Sequence, residues 1–245
     1  MFIKKDKYGV GTGRLRKLRV LSAIIVGCCV LFINTAGVAA NGSVHTESEK
    51  KPEPIAEGEV SAALLAEVGT GRVVYEYNSE EKLPAAGLTR LAALVSVCKG
   101  FDEGRLKPGD AVSVSEKAAG IGGTTAFLKA GEQMDAETML LAAVMINAGD
   151  ATHSLALAAA GSESAAVQEI NACMAGIGVE TNFSEICGAG EKLSASELAK
   201  IGAALTASES YCKFGTKFYE KIEHNTGAGA TELANPNKLV KQYSG

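Results

Sequence analysis

Three different spacings of apolar residues divide the chain. The first is an uncharged apolar run over residues 20–33, followed by Asn34, Thr35 and a stretch of small residues ending Val38-Ala39-Ala40-Asn41. The second is a pair of β-type segments: residues 60–68 are apolar, residues 72–77 read RVVYEY, and Gly69-Thr70-Gly71 lies between them as a turn. Two β-rich runs around a glycine turn predict an antiparallel hairpin. The third spacing is helical. Leu88, Leu91, Ala92, Leu94, Val95 and Cys98 recur at steps of three and four and predict a one-sided helix ending near Gly100. Asp135 is placed to cap a following run in which residues 139–146 are almost wholly apolar, the pattern of a central, buried helix. Further helices are predicted over 151–160, 162–176 and 194–207, the last opening with Ser194 and Glu197 at capping-box spacing. Residues 105–134 are glycine-rich, with short β-like pieces AVSVS and TTAFLKAG. No repeats occur, and the predicted class is α+β: an N-terminal β-hairpin followed by a mainly helical body.

Charge changes the picture at the N-terminus. Residues 1–40 hold Lys4, Lys5, Lys7, Arg14, Arg16, Lys17 and Arg19 against one acid, Asp6, whereas the rest has 17 bases and 27 acids. A basic block, an apolar run and a small-residue site form the layout of a secretory signal, cleaved after Ala40. An uncleaved membrane anchor over residues 20–40 is the rival reading, and Ile25-Val26-Gly27-Cys28 also has the form of a lipoprotein site. All three place the folded part outside the cytoplasmic membrane, secreted or anchored at the cell envelope. The division expected is therefore 1–40 signal peptide or anchor, 41–58 polar linker with Pro52 and Pro54, and 59–245 the folded domain. An acidic body argues against a nucleic-acid partner, because phosphate binding draws on a clustered basic surface. Cys98, Cys173, Cys187 and Cys212 lie outside the signal and match no small disulfide scaffold, so buried free thiols are expected. His45, His153 and His224 are scattered, so no metal site is expected.

The string AEVGTGRVVYEYNSEEKLPAAGLTRLAAL (residues 66–94) resembles the opening of the serine-type D-alanyl-D-alanine carboxypeptidases, the small penicillin-binding proteins with a β-lactamase-like fold. There a D-A-x-T-G-x-V-L-Y-like hairpin leads to P-A-S-L-T-K-L. GIGGTTAFLKAG (residues 120–131) resembles the segment after that family's first helix, residues 139–155 its central helix and second motif, and Asn235-x-Asn237-x-Leu239 the approach to its third. The resemblance runs without obvious gaps from about residue 60 to the last residue.

The resemblance implies acyl transfer in which a serine of S-x-x-K attacks the D-Ala-D-Ala bond, a lysine one helical turn later handles the proton, and S-x-N and K-T-G complete the pocket. In this chain the first motif reads Gly87-Leu88-Thr89-Arg90. Glycine has no nucleophile, and the pKa of arginine, above about 12, bars it from acting as a neutral base. The second motif reads Asn147-Ala148-Gly149, with Asp150 next. The K-T-G motif is missing, and the resemblance implies a domain without its C-terminal sheet strands. No functional catalytic residue is expected at Gly87, Arg90, Asn147 or Gly149, and no cofactor. Outside this family, Gly87 would read as a helix cap, Arg90 as a surface charge, and Asn147 and Gly149 as a helix end. Thr89, Thr124, Thr125 and Ser154 have no Lys or His at an activating spacing.

The expected function is that of a non-catalytic family member in peptidoglycan and cell-wall processes. Its partners would be peptidoglycan stem peptides or another envelope protein, with self-association through the strand at 60–68 if its edge is left open. The alternatives are an active carboxypeptidase trimming stem peptides, or the product of a decaying gene.

Overall fold

The computed structural model describes residues 60–188, 190–227 and 229–242, all within one unit spanning Pro52–Gly245. The signal or anchor and the whole of the linker 41–58 lie outside the described residues. None of the described helices is long and apolar enough to cross a membrane.

The predicted hairpin is present. Strand β1 (Ala63–Ala66) pairs antiparallel with β2 (Val73–Tyr77), Leu65 opposite Tyr75 and Ala63 opposite Tyr77, with an irregularity at Leu65/Ala66. The turn closes through Gly71 N donating to Glu67 O at 2.8 Å and Glu67 N to Arg72 O at 2.9 Å, with Gly71 in the left-handed region that suits glycine. β1 is shorter than the apolar segment 60–68, and among the described residues it has β2 as its only strand neighbour.

Short β3 (Leu83–Pro84) then leads through a 3-10 turn (Ala86–Thr89) into α1 (Arg90–Asp102). The sequence pattern predicts one buried face, but α1 is enclosed on nearly all sides: Ala92 through Cys98 are all buried, whereas Leu88 is exposed. The reason is its position, packed against four other helices: α4 (Gly149–Ala160), α5 (Glu163–Gly176), α6 (Ala195–Thr206) and α7 (Glu209–Gly215). The predicted central helix, α3 (Ala136–Ile146), lies further out, with Leu141 and Val144 half-buried. Small side chains permit this close approach: Ala92, Ala93, Ala142, Ala143 and Ala151 sit between larger residues such as Leu94, Met139, Leu155 and Ile170.

Helix starts follow the sequence signals. Asp135 Oδ1 accepts from Thr138 N at 2.8 Å, Ser162 caps α5, and Ser194 with Glu197 forms the complete capping box of α6. AVSVS supplies β4 (Ala111–Ser113), which follows α1 and precedes the one-turn helix α2 (Glu116–Ala119); it pairs with β5 (Gln133–Asp135). TTAFLKAG, in contrast, is an irregular loop in which the amides of Ala126 and Leu128 are taken by a buried carboxylate. Another two-residue strand, β6 (Lys192–Leu193), pairs with β3.

A second hairpin was not apparent from the sequence pattern. β7 (Tyr219–Glu223) and β8 (Ala230–Ala234) pair antiparallel, each presenting a buried residue, Ile222 and Leu233, between exposed neighbours. Buried Glu132 and His224 tie this hairpin to the body through a 2.8 Å contact between Oε1 and Nδ1. A final short helix, α8 (Leu239–Gln242), follows.

Candidate functional site

The four positions singled out in the sequence converge. Gly87 sits exposed in the 3-10 turn, and a Cβ built there meets nothing within 4 Å. Asn147, at the end of α3 in a left-handed conformation (φ 55°), sends Nδ2 to the Gly87 carbonyl at 3.1 Å. Its Oδ1 is enclosed without a hydrogen-bond partner.

Arg90, the first residue of α1, is not a surface charge; it is 7% exposed. Its guanidinium donates through Nη1 to Thr124 O at 2.8 Å and to Asn147 O at 3.4 Å, and through Nη2 to Gly122 O. Gly149 N donates to the same Thr124 carbonyl at 3.0 Å. One planar cation thus joins three segments: the start of α1, the loop 120–128 and the corner between α3 and α4. Arginine suits this task because its donors form a fixed fork and its charge does not depend on pH. A lysine has a single point of attachment and could not span the same acceptors.

Gly149 makes room for that fork. A Cβ there would stand 2.7 Å from Arg90 Cζ, 2.9 Å from Arg90 Nε and 2.8 Å from Ile121 Cγ2. A Cβ on Gly123, which has φ +82°, would approach Arg90 Nη2 to 3.0 Å. The substitutions at 90 and 149 are therefore sterically one feature.

Asp150 holds the loop opposite. Only 1% exposed, it accepts from Ala126 N at 2.9 Å, from Leu128 N at 3.0 Å and from Ala151 N at 2.9 Å. Its place beside the second motif marks it in the sequence, but the loop it clamps could not be read there, since the contacts span more than twenty residues.

Two of the four hydroxyls that could replace a serine are engaged. Thr89 is buried and donates to Ala86 O at 2.8 Å and to Gly188 O, while Ser154 donates to Asp150 O at 2.8 Å. Cys187, which sequence reasoning passed over, reaches the site, its Sγ lying 3.7 Å from Gly149 O. Burial pushes its thiol up to about 12, outweighing the opposite pull of Arg90, so it is a neutral thiol at pH 7. His153 is also buried, and burial lowers its pKa even though Glu163 Oε1 lies 3.0 Å from Nε2. The four cysteines are free, but only Cys98 is fully buried and Cys212 is exposed, which corrects the expectation of four buried thiols.

A cavity of about 500 Å³ lies elsewhere, at the other end of α1, where Val95, Cys98, Lys99 and Asp102 face Cys173 and Ala204. None of the motif positions lines it, so it is distinct from the Arg90 constellation.

The architecture is that of the penicillin-binding proteins. Over 80% of this chain and 63% of that one, the crystal structure of penicillin binding protein 6B from Escherichia coli superposes with a TM-score of 0.66 at 22% identity. Residues 46–245 match the model of the D-alanyl-D-alanine carboxypeptidase family, peptidase family S11, and the chain belongs to that family. Among curated relatives it is 30% identical over 231 residues to D-alanyl-D-alanine carboxypeptidase DacF of Bacillus subtilis, covering 93% of this chain and 57% of DacF. It is 26% identical over 193 residues to DacA of Escherichia coli K12, covering 75% of this chain and 47% of DacA. The chain thus spans about half the length of these relatives.

Proposed function

We propose that this chain is a non-catalytic member of the D-alanyl-D-alanine carboxypeptidase family that acts outside the cytoplasmic membrane as a binding or scaffold protein of peptidoglycan. The observation that carries this reading is the seating of Arg90. Where the family's S-x-x-K places an amine that can exchange a proton, this chain has a permanently charged guanidinium fastened to three carbonyls, and Gly87 offers no hydroxyl. The mutual fit of Arg90 and Gly149 favours a settled protein over a decaying one. Independent loss would leave a buried cation against a side chain rather than over a glycine. Stem peptides are the natural ligands, since the segments that carry Gly87, Asn147 and the loop 120–128 match the family's along their length. Export is supported by the basic and apolar segments of residues 1–40.

The full chain should form no covalent adduct with a labelled penicillin and release no D-Ala from a D-Ala-D-Ala peptide, yet sediment with purified peptidoglycan sacculi. A stoichiometric acyl-protein by mass spectrometry would overturn the non-catalytic reading. Absence of binding to sacculi would overturn the peptidoglycan reading.

A further inference from the structure

The loop 120–128 holds a residue that folding does not explain. Phe127 is 73% exposed and has φ +61°, the left-handed region that aromatic residues seldom occupy. Its neighbours do the opposite: Ala126 is fully buried and Leu128 is 4% exposed. The backbone amides of both neighbours are bound by the one buried Asp150 carboxylate, at 2.9 and 3.0 Å. This two-sided clamp turns the chain outward at position 127. On folding grounds alone glycine would be the favoured residue there, since it accepts a positive φ without cost and loses no packing. The fold holds an aromatic ring in solvent against its backbone preference, and such strain is a reason to look for function.

Position 127 lies in the loop that Arg90 and Asp150 anchor. Thr124, three residues earlier, accepts hydrogen bonds from both Arg90 and Gly149, so the ring's backbone is within about 11 Å of that carbonyl by chain length alone. Thr124 is exposed and Thr125 half-buried, and the segment 121–128 carries no charged side chain. An uncharged ring in a segment whose polar side chains are two threonine hydroxyls suits a ligand with a C–H face and hydroxyl edges, the chemistry of a sugar ring. We propose that Phe127 is the platform on which a sugar of the peptidoglycan glycan strand stacks when the attached stem peptide lies against the neighbouring surface of Gly87 and Asn147. This rests on the peptidoglycan-binding reading above and adds to it the contact and the part of the polymer contacted.

The test uses the full chain with sacculi, a soluble disaccharide-pentapeptide and the pentapeptide alone. Phe127→Ala is expected to weaken binding of sacculi and of the disaccharide-pentapeptide at least tenfold and to leave the pentapeptide unchanged. Phe127→Tyr keeps the ring and retains binding. Phe127→Gly loses binding as Ala does, yet raises the denaturant midpoint above wild type because the backbone strain is gone. If the wild type binds none of the three ligands, the function proposed above fails and this inference with it. If it binds and Phe127→Ala binds sacculi equally well, the inference alone is overturned, as it is if Phe127→Gly lowers the midpoint or if Phe127→Ala weakens the pentapeptide as much as the disaccharide form.

Discussion

Replacing Gly149 by alanine asks whether Arg90 and Gly149 are one unit. Alanine is the better helix former by roughly 1 kcal/mol, so at an ordinary helix start the change would stabilise. Here the new methyl would lie 2.7 Å from Arg90 Cζ and 2.8 Å from Ile121 Cγ2. Relief requires the guanidinium to leave, and its bonds to the carbonyls of Gly122 and Thr124 go with it. Overpacking costs about 1–3 kcal/mol, and each hydrogen bond to a charged group about 1.5–3. Partial relaxation and the helix gain offset some of this, leaving a net loss of about 2–4 kcal/mol. In an Arg90→Lys background the fork is already absent and only the contact with Ile121 Cγ2 remains, so the same alanine should cost about half as much. The assay is urea denaturation of the four proteins of the cycle, with the slope checked for constancy. Equal costs of Gly149→Ala in the two backgrounds, or a neutral effect in wild type, would refute the reasoning.

Other outcomes are as specific. Gly87→Ser should fold normally, because its Cβ meets open space, but neither it nor its combination with Arg90→Lys should acylate with penicillin, since Asn147 and Gly149 stay unchanged and such groups act as a unit. For Glu197, burial alone would raise the carboxyl, but Lys82, the Ser194 amide and Thr181 outweigh it and hold the pKa at about 2. With an unfolded value near about 4.3, the unfolded chain binds more protons between those values, so this contribution is complete above about pH 5 and is lost as pH falls toward 2; Glu197→Gln should flatten the acid limb of a stability-versus-pH curve. His153, whose folded pKa burial lowers, adds a loss of stability as pH falls below about 6.5, and His153→Gln should remove that part of the slope in denaturation series from pH 7.5 to 5. The side of β1 that has no strand partner among the described residues predicts a concentration-dependent rise in mass by light scattering, and a monomer with slowly exchanging amides throughout residues 60–68 would contradict it.

Local signals carried well from sequence to structure. The Gly69-Thr70-Gly71 turn, the Asp135 cap and the Ser194/Glu197 box depend on neighbours within a few residues and appear where the pattern puts them. Features set at a distance did not. The helical spacing around Leu94 describes one face, and only tertiary packing shows α1 enclosed while α3 keeps a half-exposed side. The hairpin of Ile222 and Leu233 is short and flanked by charged residues, so its single buried position per strand gives little periodicity to read. At the site, Gly87, Arg90, Asn147 and Gly149 could be named from the motif, but their reason could not. That glycine 149 exists to admit arginine 90 is a statement about a 2.7 Å distance between residues 59 positions apart.

Helix α1 carries the site at one end and the 500 Å³ cavity at the other, with its length buried between them. Thirteen residues at about 1.5 Å each make a strut of roughly 20 Å. A strut gripped along its whole length moves as one piece or not at all. Molecules wedged beside Cys98 and Asp102 would stand a full helix length from the seat of Arg90, and a reporter group on the half-buried Cys173 thiol, which borders the cavity from α5, would report on the cavity without touching that seat.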